Sequence, residues 1–215
     1  MTAYYPVALD LRGRLCVVIG GGGVAERKVH GLLECNGRVR VIAPKASPKL
    51  RKMALDGLVN LEVRQYRTGD LAGAFLAMGA TDDPQVNDAV FQEAQEKGIL
   101  VNIADAPSRC NFILPATVRR GDLTIAINTG GKSPALARQI REDLEEQFPP
   151  EFSRHLEELA CYRRLLRESL PDPARRETAW RGLMAGGLVG LLRRGENQKA
   201  LGLVQDAVAR AGDAR

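Results

Sequence analysis

Leu15 to Ile19 is an unbroken apolar run rich in β-branched residues, too short for a helix and readable as a strand buried on both faces. Four glycines follow, Gly20 to Gly23. Val24 to Leu33 then takes up helical spacing, with Val24, Val29, Leu32 and Leu33 on or near one face. Val39 to Ala43 predicts a second strand, stopped by Pro44, and Leu58 to Val63, Ala74 to Met78 and Ile99 to Ile103 predict further strands. Pro48 to Leu55 and Pro84 to Lys97 read as helices between them. Short apolar strands alternating with helices predict a doubly wound parallel sheet.

The rhythm changes after about residue 110. Ala116 to Val118 and Leu123 to Ile127, joined through Arg119-Arg120-Gly121-Asp122, predict a β-hairpin. Ser133-Pro134 is a helix start, with Ser as cap and Pro at the first helical position, and Pro149-Pro150 ends that helix near Phe148. From Phe152 onward the pattern is helical, interrupted by Pro171, Pro173 and the glycine-rich stretch Gly182 to Gly190. The expected class is α/β: a Rossmann-type parallel-sheet domain over residues 1–113, a small α+β central unit over 114–149, and a helical unit over 150–215. No internal repeat is visible.

Composition adds limits rather than chemistry. The 215 residues are 45% hydrophobic, enough for a real core, and carry a formal charge of +5. The basic residues are interspersed with acids; residues 151–215 hold 12 basic and 9 acidic side chains, with no block of like charge. With aromatics at 5% there is no stacking platform for RNA, and a small polyanion suits the charge equally well. Cys16, Cys35, Cys110 and Cys161 have no CxxC spacing, and with only His30 and His155 beside them no metal site is expected. Free thiols, no signal-like N-terminus and no apolar run near the ~18 residues of a membrane span predict a soluble, cytoplasmic protein.

Gly20-x-Gly22-x-x-Ala25 stands between a predicted strand and a predicted helix, the context that gives this motif meaning. Gly20 permits the tight turn, Gly22 lets the backbone approach a pyrophosphate, and Ala25 lets the helix pack closely on the sheet. The helix N-terminus then offers N–H groups and positive dipole to the phosphates. The acid that usually grips the adenosine ribose is missing from Val41-Ile42-Ala43-Pro44-Lys45. Either backbone groups near Pro44 and Lys45 hold the ribose or Lys45 accepts a 2′-phosphate, so spacing leaves NAD and NADP both open.

Gly20-Gly21-Gly22-Gly23-Val24-Ala25-Glu26-Arg27-Lys28 resembles the GGG-x-VA-x-RK start of precorrin-2 dehydrogenases, including the N-terminal module of siroheme synthase. Thr81-Asp82-Asp83 with Val86-Asn87, Val101-Asn102-Ile103-Ala104-Asp105, Asn111 to Ala116, Arg120 to Leu123 and Thr129 to Ala137 resemble later segments of that family, in order. The likeness covers residues 5 to about 150 and thins beyond. It implies a homodimer formed through the central unit, NAD as cofactor, and oxidation of the tetrapyrrole precorrin-2 to sirohydrochlorin. In some members ferrous iron is then inserted to make siroheme. The cofactor contacts it implies match Gly23, Val24, Pro44 and Lys45, which favours NAD over NADP. It implies a part in both reactions for Asp105, and places Thr129 near the cleft.

Asp105 follows a buried strand, on the edge where open α/β sheets place their ligands, and one carboxylate acting as general base would suffice for the proton lost on dehydrogenation. Its bland alternative is a solvated turn aspartate before Ala106-Pro107. Thr81 and Asp82 are further cofactor candidates, though an Asp pair before Pro84 is also a plain helix cap, a role that suits Asp83 better. A substrate with eight carboxylates calls for cations: Arg109, Arg119, Arg120, Lys132, Arg138 and Arg141 cluster in the middle region, and Asn111 and Thr129 join Arg109, Arg120 and Lys132 as substrate candidates. Singly, each arginine reads as surface charge with partners such as Glu142 and Glu145. His30 and His155 fall inside predicted helices with no evident carboxylate partner and read as structural or solvated. Nucleic acid and membrane are not expected partners.

Two competing classes stand beside this reading. A short-chain dehydrogenase needs Tyr-x-x-x-Lys, and none of Tyr4, Tyr5, Tyr66 or Tyr162 has a lysine four positions on. A non-catalytic NAD-sensing regulatory domain would carry the ribose-binding acid after its second strand and would not need the Asp105 and Gly130-Gly131 segments.

Overall fold

The computed structural model describes residues 4–213, and the chain divides into two compact units, Met1–Leu114 and Pro115–Arg215. The first unit runs β1 (Leu15–Ile19), α1 (Gly23–Glu34), β2 (Arg38–Ile42), α2 (Pro48–Leu55), β3 (Val59–Glu62), β4 (Leu76–Gly79), α3 (Pro84–Glu96) and β5 (Leu100–Ile103). The five strands form one parallel sheet in the order β3-β2-β1-β4-β5. The chain therefore builds outward from β1, returns, and continues on its other side. The reversal leaves a crevice between the carboxyl ends of β1 and β4, where folds of this kind hold ligands.

The unbroken apolar character of β1 follows from burial on both sides. Cys16 and Val18 pack with Val39, Val41, Leu76 and Met78 beneath Ala25, Val29 and Leu32 of α1 and Leu50 of α2. Val17 and Ile19 pack with Ile42, Ala77, Val101 and Ile103 beneath Val90 and Ala94 of α3. A strand with helices on both faces has no polar side to show, so alternation disappears.

The long connection from β3 to β4 is fixed by one buried acid. Glu93 of α3 accepts hydrogen bonds from the Tyr66 hydroxyl, from Gly69 N at 3.0 Å and from Leu71 N at 3.2 Å, with Lys97 Nζ at 3.1 Å. Burial alone would raise its pKa; these donors outweigh burial and hold the carboxyl below its usual range.

The second unit opens with an antiparallel hairpin, β6 (Ala116–Arg120) and β7 (Leu123–Ile127), turned by Gly121-Asp122. Next come α4 (Pro134–Gln147), α5 (Phe152–Ser169), α6 (Pro173–Ala185), α7 (Leu188–Arg193) and α8 (Asn197–Asp213). Tyr162, Leu166, Leu183, Leu188, Leu192, Ala200 and Val204 form the core shared by α5 to α8. The breaks fall between Ser169 and Pro173 and at Gly186-Gly187. The glycine-rich stretch expected to interrupt the helices is itself mostly helical, because Gly182 lies inside α6 and Gly190 inside α7. Among the described residues no helix is long and apolar enough to cross a membrane.

Candidate active site

Because all five strands run the same way, the loops after β1, β2, β4 and β5 emerge at one edge of the sheet. Two glycines let three of these loops meet. Gly20 has φ +133, and a Cβ there would lie 2.2 Å from the Ala80 carbonyl oxygen in the loop after β4. A Cβ on Gly21 would lie 1.9 Å from the Lys45 carbonyl oxygen in the loop after β2. Hydrogen bonds lock the same junctions: Gly20 N to Ile42 O at 3.0 Å, Ala80 N to Ile19 O at 2.7 Å and Ser47 N to Gly21 O at 2.9 Å. Gly21 is the residue that sequence reasoning missed. It occupies the variable position of G-x-G, and only the nearness of the β2–α2 loop makes glycine necessary there.

The next two glycines have the opposite surroundings. A Cβ on Gly22 or Gly23 would meet nothing within 4 Å. Gly22 is the N-cap of α1, at φ −91 and ψ −172, and supplies no side-chain cap. The other two α-helices described in this unit are both capped from within, α2 by Ser47 Oγ and α3 by Asp83. The first turn of α1 thus presents N–H groups without intrahelical acceptors, over open space, at the positive end of a helix dipole. That cradle fits a diphosphate. Pro44 and Lys45 are exposed beside it. Across the crevice, Thr81 Oγ1 accepts from Asp83 N at 2.8 Å and Thr81 O accepts from the buried Asn87 amide at 2.9 Å, while Asp82 remains exposed. Asp83 is engaged with Gln85 N and Val86 N, the cap role its place before Pro84 suggests.

Asp105 stands just past β5, exposed, at φ +57. Left-handed backbone at a non-glycine residue is uncommon and strained, and it persists only where the surroundings impose it. Ala104 N donates to Gly79 O at 2.8 Å, which joins this turn to the end of β4. Lys28 reaches across the sheet from α1 to Asn102 on β5, Nζ to Oδ1 2.7 Å. Burial lowers the pKa of Lys28, opposed by the nearby Cys110 and Asp105. The sequence gives Lys28 a place in a motif but no role.

The substrate candidates divide by what their polar atoms already do. Asn111 lies along the open edge of β5, accepting from Val101 N at 2.7 Å and donating to Ile99 O at 3.0 Å. Arg109 pairs with Asp88 of α3 at 2.6 Å. In the second unit Arg120 donates to Phe148 O at 2.5 Å and Glu145 O at 3.4 Å, closing the carboxyl end of α4. Thr129 Oγ1 exchanges hydrogen bonds with the backbone of Ser133, and Lys132 is exposed. Arg138 and Arg141 pair with Glu142 and Glu145, as helical spacing predicts. Both histidines do have carboxylate neighbours: His30 lies 3.0 Å from Glu34, and His155 3.7 Å from Glu158. Among the described residues no group of three or more His, Cys, Asp or Glu could hold a metal ion.

The chain is similar to known proteins over most of its length. A family described as "Sirohaem biosynthesis protein central" matches residues 120–147. Siroheme synthase of Nitrosococcus oceani is 34% identical over 205 residues, which is 95% of this chain and 44% of that protein. Siroheme synthase of Methylococcus capsulatus is 37% identical over 197 residues, 92% of this chain and 42% of that protein. The chain therefore spans less than half the length of the curated relatives it matches. A solved structure, SirC, precorrin-2 dehydrogenase, superposes with a TM-score of 0.78 at 28% identity, covering 94% of this chain and all of that one. A family described as "Putative NAD(P)-binding" matches residues 7–116, the strands, loops and glycine cradle described above. The match takes in just over half of the sequence, and the chain belongs to that NAD(P)-binding family.

Proposed function

We propose that this chain oxidises precorrin-2 to sirohydrochlorin with NAD, acting in the cytoplasm as a homodimer in siroheme biosynthesis. The observation that carries the reading is the pairing, on one edge of one sheet, of an uncapped helix start with a carboxylate in a strained turn. The first can hold a dinucleotide and the second can take a proton. The substrate class comes from the siroheme synthases and the precorrin-2 dehydrogenase to which the chain is similar.

The residues divide the work as follows. Gly22, Gly23 and Val24 bind the diphosphate through backbone N–H groups, with Gly20 shaping the turn. Pro44 and Lys45 receive the adenosine ribose, and Thr81 and Asp82 line the opposite wall. NAD supplies a hydride acceptor. Asp105 takes the proton that leaves the substrate with the hydride, so that the oxidised macrocycle gains one double bond. Arg109 and Lys132 offer charge to substrate carboxylates from accessible positions. Asn111, Arg120 and Thr129 act on the substrate by shaping the loops they hold, since their polar atoms are engaged with backbone. Residues 114–149 serve as the dimerisation unit; a lone two-stranded hairpin leaves edges that a second copy can cover.

The test is anaerobic incubation of the purified protein with precorrin-2 and NAD, followed by absorbance. The account requires NADH and sirohydrochlorin to appear together and both to vanish when NAD is omitted. Ferrous iron added afterwards is read as a second substrate, by any change faster than a protein-free control. NAD binding without turnover would overturn the reading in favour of a sensing domain.

A further inference from the structure

The turn that carries Asp105 is held by a relay that begins on another element. The Cys110 thiol sits at its centre. Its sulfur accepts from Ile103 N at 3.2 Å and lies 3.2 Å from Ala106 O and 3.4 Å from Ile103 O, either of which can take its proton. Ala106 N also donates to Ile103 O at 3.4 Å, so the thiol adds a second tie between residues 103 and 106, with Asp105 between them at φ +57. Asn102 connects this bracket to the sheet: its amide nitrogen donates to Phe112 O at 3.1 Å and lies 3.6 Å from Cys110 Sγ. Its oxygen faces Lys28 Nζ at 2.7 Å, from a residue 74 positions away.

An amide side chain can rotate by half a turn and exchange its donor and acceptor at little steric cost. An ammonium only donates, so a lysine on one side of the amide fixes the oxygen there and the nitrogen on the other. Lys28 is half-buried and pays in lost hydration for that position. A neutral amide oxygen does not cancel its charge, the nearby Asp105 and Cys110 offset the burial only in part, and an apolar side chain would pack there without that cost. The arrangement is accounted for when the orientation of Asn102 matters.

We propose that Lys28 is a positioning residue for Asp105: by holding the Asn102 oxygen it commits the Asn102 nitrogen to Phe112 and Cys110, and so keeps the 103–106 turn presenting the carboxylate. This rests on Asp105 acting in the oxidation proposed above. With an alkyl side chain at position 28 the amide keeps only Phe112 O and Cys110 to orient it, and the turn loses its left-handed residue in part of the population.

The experiment compares wild type, Lys28→Met, Lys28→Arg and Asn102→Asp. Lys28→Met is expected to lower kcat for precorrin-2 oxidation about 10- to 100-fold, the usual result of a small displacement of a reacting group. KM, the NAD dissociation constant and the unfolding midpoint should stay near wild type. Lys28→Arg also donates only, and should recover most of kcat. Asn102→Asp keeps a partner for Lys28 but has no donor for Phe112 or Cys110, so it should lose kcat as Lys28→Met does. A second readout needs no turnover: the rate at which iodoacetamide alkylates Cys110 in substrate-free protein, followed by peptide mass spectrometry. It should rise several-fold in Lys28→Met and Asn102→Asp, with Cys35 and Cys161 unchanged. Wild-type kcat and wild-type Cys110 alkylation in Lys28→Met would overturn the proposal. If wild type itself does not turn over, the oxidation reading falls, and the alkylation rates alone decide whether Lys28 holds the turn.

Discussion

Helices α1 and α3 leave the same edge of the sheet from neighbouring strands, β1 and β4, and each begins after a short loop. Over α3 the Asp83 carboxylate accepts from Gln85 N at 2.9 Å and Val86 N at 3.4 Å, so the helix end is closed by its own chain. Over α1 the equivalent position is Gly22, with no side chain and open space beyond it. The first turn of any helix carries free N–H groups and partial positive charge. One end spends them internally and the other reserves them. The difference separates a helix end that serves the fold from one that serves an anion.

Exchanging the two endings breaks this contrast most severely. Gly22→Asp gives α1 the carboxylate that α3 has, at backbone angles any residue can adopt. Stability should change by only a few tenths of a kcal/mol. NAD affinity, measured by calorimetry, should fall on the order of 100-fold, since the new carboxylate occupies the N–H groups and repels a diphosphate. Unchanged affinity would mean that the cradle is not the diphosphate site. Gly21→Ala strikes the support rather than the cradle, because its Cβ would lie 1.9 Å from Lys45 O. Chemical denaturation should show a loss of about 3 kcal/mol, and wild-type stability would show that the β2–α2 loop gives way freely. Asp83→Ala removes the cap of α3 and should cost about 1 kcal/mol, with NAD binding untouched. Smallest of all, Asp88→Asn removes the half-buried partner of Arg109 and should shift stability by less than about 1 kcal/mol.

Much of the first unit was legible because its strands are short, are built around apolar residues, and mostly begin or end near a glycine or proline. β1 matches its apolar run residue for residue. β4 lies at Leu76–Gly79 rather than Ala74 to Met78, since Phe75 N is already bonded to Leu15 O ahead of the ladder and Gly79 completes it against Ile103. The glycine cradle was legible as a motif, and Asp105 as a carboxylate after a strand. The squeeze at Gly21 was not, because it depends on a carbonyl 24 residues further on. Nor were the contacts that Asn111, Arg109 and Arg120 make within the chain, beside their reading as polar side chains suited to a polyanion. Their partners are backbone carbonyls, one backbone N–H and a helix aspartate that no periodicity encodes. Lys28 and Asn102 each sit in a recognisable segment, but the hydrogen bond between them spans the sheet and exists only in three dimensions.

The central claim is that an NAD held at α1 and a carboxylate at Asp105 act together on the tetrapyrrole. Asp105→Asn tests it most directly, since asparagine tolerates the left-handed backbone at φ +57 and only the charge is lost. In a single-turnover experiment with precorrin-2 and saturating NAD, the account predicts wild-type NAD affinity and NADH formation slowed by about 10²- to 10⁴-fold. NADH formation at the wild-type rate in Asp105→Asn would contradict it.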